Sequence, residues 1–170
     1  MWNKPAVFAL SAFLLVAGVS VQDAAPAVCG VRIPAVCAAV AFAACCFEPL
    51  RAMAFAAVAG WLYEGLGALP VFCGAGFFVL VALCIAMAMD KKTHRGAVAV
   101  AVCAASAAAA QEIWLRMWVR DYPAMFFWRR FGLSPLLAFP AGLLAGLTMI
   151  PLFEKVRQPA SIEEAKGGRE

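Results

Sequence analysis

The chain has 170 residues, 65% of them hydrophobic and 14% charged, with a formal charge of +4 and mean hydropathy +0.87. Soluble domains run nearer a quarter charged, and no water-soluble packing of this length hides so much apolar surface. The composition excludes an ordinary soluble domain and predicts an all-α integral membrane protein. The apolar runs, about 17 to 23 residues long, have the length of membrane-spanning helices. They lack the ten-residue alternation of barrel strands.

Six spans follow in chain order. Span 1, Pro5 to Val21, lies behind the anchor "MWNK"; a cleaved signal peptide is the alternative reading of this segment. Span 2 covers about Ala27 to Phe47 and carries Arg32 near its start. Span 3, about Ala52 to Gly67, ends in "WLYEGLG", where Glu64 interrupts a long apolar stretch. Span 4 covers Ala68 to Met89 and leads into the basic loop "DKKTHRG". Span 5, Ala97 to Val119, is rich in small residues and carries Gln111, Glu112 and Arg116 late in its course. The loop "RDYPAMFFWRRFGLSP" mixes aromatic rings with arginines. It reads as an aromatic belt with a short interfacial helix, or as a docking surface for another membrane protein. Span 6, Leu136 to Phe153, places Gly142 and Gly146 one turn apart. Together with Gly60 of span 3, these are the expected helix-packing glycines. Residues 1–155 are thus expected to form a single transmembrane helical domain, and residues 156–170 a flexible cytoplasmic tail.

Charge asymmetry sets the expected orientation. With six spans both termini share a side, which then holds nine Lys and Arg residues against five on the other. The positive-inside rule puts both termini in the cytoplasm. The seven cysteines lie in or beside apolar runs, without a CxxC pair or a Cys/His cluster. They read as small buried hydrophobes, and neither a metal site nor a cofactor site is expected.

The charges inside the spans are the candidate functional residues, since ionisable groups in lipid are expensive. Glu64 follows Arg51 by thirteen residues, a rise of about 20 Å. Glu112 follows Gly96 by sixteen, about 24 Å. Arg32, Glu64, Gln111, Glu112 and Arg116 therefore share a depth toward the outer surface. They are expected to form a structural polar cluster linking spans 2, 3 and 5, or a partner contact; the alternative is that each side chain snorkels independently. No Ser/His or Cys/His pairing and no phosphate-cradling glycine loop accompanies them, so no catalytic residue is assigned and a non-enzymatic role is expected.

The order of features resembles the rod shape-determining protein MreD family. The likeness rests on "GVRIPAV" opening span 2 and on "FEPLRAMAFAAVAGWLYEGLGALPVFCGAG", where Gly60, Glu64 and Gly74 fall at matching places. It rests further on the basic loop "KKTHR" and on the late acidic residue Glu112, and it covers roughly residues 5 to 155. The chain departs from the family pattern in three places. Ile33 separates Arg32 from Pro34, Glu64 stands where aspartate is more usual, and the usual asparagine opening the last span is missing. The resemblance implies a multi-pass protein of the bacterial inner membrane, acting in cell elongation and lateral peptidoglycan synthesis. The implied partners are an MreC-like protein, an MreB-like filament, a RodA-like glycosyltransferase and a class B penicillin-binding protein. The alternative is the substrate-binding S component of an energy-coupling-factor vitamin transporter. Such components typically carry small residues one turn apart in span 1, and no two small residues of Pro5 to Val21 are four apart.

Overall fold

A computed structural model describes residues 4–29, 32–67, 73–89, 96–118 and 124–157. Among the described residues there are six α-helices and no strand. They are α1 (Lys4–Cys29), α2 (Ala35–Cys46), α3 (Pro49–Gly67), α4 (Cys73–Ala88), α5 (Ala97–Trp118) and α6 (Ala124–Arg157). Three contain stretches long and apolar enough to cross a membrane: Ala9–Val28, Ala97–Trp118 and Phe127–Lys155. Helices α2 and α4 are shorter, with 12 and 16 residues. At 1.5 Å per residue α2 extends about 18 Å, well short of a hydrocarbon core about 30 Å thick.

That short helix is the centre of the architecture. Its sequence, AVCAAVAFAACC, is apolar and mostly small on every face. A helix without a polar face belongs inside, and 11 of the 12 residues of α2 are buried. It touches all five other helices. The small side chains let those neighbours come close, which is how helices gain dispersion contacts when lipid supplies no hydrophobic drive. Near its C-terminal end, Phe42 and Phe47 pack with Phe55 of α3 and Phe153 of α6, with ring centroids 5.4 to 6.4 Å apart.

Helices α5 and α6 pack as an antiparallel pair through the two glycines of span 6. A Cβ on Gly142 would stand 2.8 Å from Ala104 Cβ, and one on Gly146 would stand 2.6 Å from Ala97 Cα. Gly142 and Gly146 therefore serve a contact inside this bundle. The outward faces carry Phe13, Val16, Leu80, Val102, Leu136 and Leu144, all exposed. An exterior of this kind suits lipid rather than water.

Two boundaries differ from the sequence expectation. Helix α1 runs on to Cys29 and absorbs the first residues of the expected span 2, so α2 begins only at Ala35, after Pro34. Helix α6 begins at Ala124 and takes in most of the expected outer loop. Pro135, Pro140 and Pro151 all lie inside it. Proline removes a helical N–H, but helix neighbours and local adjustments re-satisfy the freed carbonyls in apolar bundles. The basic loop with Lys91, Lys92 and Arg95, the first residues of the expected span 4, and all of the tail beyond Arg157 lie outside the described residues.

Candidate functional site

Among the described residues, the buried polar side chains are Gln22, Glu64, Gln111 and Glu112, each 7% exposed. Each accepts a hydrogen bond from an element other than its own. The Val36 N–H in the first turn of α2 donates to Gln22 Oε1 of α1 at 3.3 Å. The Ala75 N–H in the first turn of α4 donates to Glu64 Oε1 of α3 at 2.8 Å. The Cys37 thiol donates to Gln111 Oε1 at 3.1 Å. The Ser134 hydroxyl donates to Glu112 Oε1 at 2.8 Å, joining α6 to α5.

Two of these contacts solve the same problem. The first N–H groups of a helix have no partner within it, and in lipid no water replaces that partner. The two short helices begin inside the bundle and take acceptors from the helices that precede them in the chain. For α4 the acceptor is a carboxylate, which the positive end of the helix dipole favours. The approach is close because both facing residues are glycines. A Cβ on Gly60 would run into the Ala75 and Gly74 backbone, and one on Gly74 would stand 3.1 Å from Glu64 Cγ. Beside this joint, the Trp114 indole N–H donates to the Cys73 carbonyl oxygen at 3.1 Å and ties α5 to the same end of α4.

The other two buried polar groups, Gln111 and Glu112, line a cavity of about 210 Å³. Arg32, Arg129 and Arg130 line it as well, together with Tyr63. Gln22 and Ser134 contribute from α1 and α6. The Arg32 guanidinium lies over the Tyr63 ring, 5.2 Å from its centroid, a cation–π arrangement. Among the described lining residues, three guanidiniums and one carboxylate leave a surplus of positive charge. The cavity belongs to the end of the bundle where α5 finishes and α6 begins.

The five residues expected to cluster are thus distributed. Arg32, Gln111 and Glu112 line the cavity. Glu64 does not line it; its Oε1 is turned to α4. Arg116 does not line it either; it is exposed on α5 with its guanidinium 5.8 Å from the Phe127 centroid. The residues missed are Gln22, Tyr63, Arg129, Arg130 and Ser134. The arginine pair stands in "FFWRRFGLSP", a segment that reads as an aromatic belt with a short interfacial helix, and such a helix has no set orientation toward spans 2, 3 and 5.

Comparison with protein-family models, with curated proteins and with solved structures finds no match to this chain.

Proposed function

We propose that the chain is a multi-pass membrane protein of the bacterial cell-elongation machinery, similar to the rod shape-determining protein MreD family, and that it acts by binding partners rather than by chemistry. In this reading six spans cross the inner membrane with both termini in the cytoplasm. The spans and the outer aromatic segment face an MreC-like protein, a RodA-like glycosyltransferase and a class B penicillin-binding protein, while the cytoplasmic loops face an MreB-like filament. The observation that carries it is the α3–α4 joint. Gly60, Glu64 and Gly74, the three positions on which the longest part of the resemblance rests, meet at one contact. A pattern shared for a structural reason is expected to converge in space in this way. Co-purification from gently solubilised membranes tests the reading. Recovery of an MreC-like or RodA-like protein supports it, and recovery of a transporter ATPase pair overturns it. A reporter fused after Arg157 tests the placement of the C-terminus.

A second reading, the substrate-binding component of a vitamin transporter, draws support from the polar cavity and from the length of α1. Once that helix runs to Cys29, Ser20 and Ala24 stand four apart, and both are exposed. Nanomolar binding of a vitamin by the purified chain would favour this second reading.

A further inference from the structure

We infer that the polar cavity and an adjoining apolar groove form one binding site for a lipid with an anionic, phosphate-bearing headgroup. The groove has a volume of about 370 Å³ and lies between α1 and α6, with α2 as its floor. Its α1 wall includes Leu14 and Gly18, its α6 wall includes Pro140, Ala141 and Ala145, and Ala38 is part of its floor. The lining is almost wholly apolar. The two spaces adjoin. Leu137 lines both, and Pro34 of the cavity sits between Ile33 and Ala35 of the groove.

The chemistry of the two halves is complementary to one amphipathic ligand. Guanidinium groups recognise phosphate oxygens through charge-assisted, often paired hydrogen bonds. The surplus positive charge of the cavity selects an anion over a zwitterion, while Tyr63 supplies a hydroxyl group to a further headgroup oxygen. From Leu137 to Met149 the groove follows α6 for about 18 Å. Half of a 30 Å hydrocarbon core is about 15 Å, so the groove has the reach of a chain within one leaflet. The headgroup end also lies where the bundle meets the outer interface, so the ligand enters from the leaflet in which it already resides. The inference rests on the membrane placement of the bundle and is independent of the cell-elongation reading.

The test is lipid retention by the purified full-length chain, read by native mass spectrometry after exchange into mixtures of phosphatidylglycerol and phosphatidylcholine. The chain is expected to retain phosphatidylglycerol selectively. Arg129 is exposed, so Arg129→Gln is expected to keep the fold, checked by an unchanged melting curve, and to lower retention about fivefold for one interfacial cation. If that variant melts early, Arg129→Lys, which keeps the charge, is expected to retain the lipid. Ala141→Leu, which fills the groove, is expected to weaken phosphatidylglycerol retention without reducing binding of glycerol phosphate. Equal retention of both lipids, or an Arg129→Gln variant of normal stability that binds as the parent does, overturns the site. Glycerol phosphate displacing phosphatidylglycerol at equal concentration, with Ala141→Leu silent, assigns the cavity to a free phosphate and overturns the lipid.

Discussion

Glu64 and Glu112 are both buried carboxylates with the same fractional exposure, yet their surroundings differ completely. Glu64 meets the backbone of α4, across an approach that two glycines permit. Glu112 meets a side-chain hydroxyl and borders a cavity shared with three guanidiniums. The first environment is closed and serves one helix end. The second is open and, among the described residues, holds more guanidiniums than carboxylates. Burial therefore does not distinguish a structural acid from one at a binding surface; the nature of its donors does.

The largest expected effect comes from closing the space that the first environment needs. Gly60→Leu forces a side chain into the backbone of α4 and is expected to destabilise the bundle by about 3 kcal/mol or more, since overpacking at backbone cannot be relieved by a rotamer change. Thermal unfolding in detergent reads this as a clear drop in Tm. Next in size, Glu64→Ala leaves the Ala75 N–H without that acceptor, at a cost of about 1–3 kcal/mol. Glu64→Gln keeps a carbonyl acceptor and loses only the favourable charge at the α4 terminus, about 0.3–1 kcal/mol. If the two variants unfold together, the capping role assigned to Glu64 fails. A loss smaller than that of Glu64→Ala is expected for Trp114→Phe, which removes the indole donor to Cys73 and costs about 0.5–1.5 kcal/mol. Last comes Glu112→Gln, which keeps an acceptor for Ser134. Its effect appears elsewhere: with one negative charge fewer in the cavity, retention of phosphatidylglycerol rises about fivefold, whereas Glu64→Gln leaves it unaltered. Equal retention by the two variants would dissolve the contrast between these carboxylates.

Much of the fold was legible in the sequence because the apolar runs mark helices directly. The expected span 3, about Ala52 to Gly67, corresponds to the helix Pro49–Gly67, and the expected span 5, Ala97 to Val119, to the helix Ala97–Trp118. The boundary between α1 and α2 was hidden because apolar residues continue on both sides of the break, so hydropathy alone runs through it. The start of α6 was hidden by the opposite effect, an aromatic and basic segment whose composition suggests an interface, not the first turns of a long helix.

The site divides along similar lines. Counting residues along an axis gives depth at 1.5 Å per step, and this brought Arg32, Gln111 and Glu112 to one level. It gives no rotation. Tyr63 and Glu64 are adjacent in sequence, but each step also turns the helix by about 100°. Tyr63 consequently borders the cavity while Glu64 addresses α4. Which neighbour lies on each side depends on the packing of all six helices, and that is not encoded in any one span.

The shortness of α2 carries a consequence for biogenesis. A segment that extends about 18 Å is a poor independent substrate for insertion into a bilayer, and its cover comes from segments on both sides of it in the chain. On the ribosome it emerges well before Gln111, which receives the Cys37 thiol, and before the α6 residues that pack against Phe42 and Phe47. The early segments therefore gain their full cover only once α5 and α6 have followed them in the chain. Assembly of this bundle is completed from its C-terminal half, and truncation there would strand its centre.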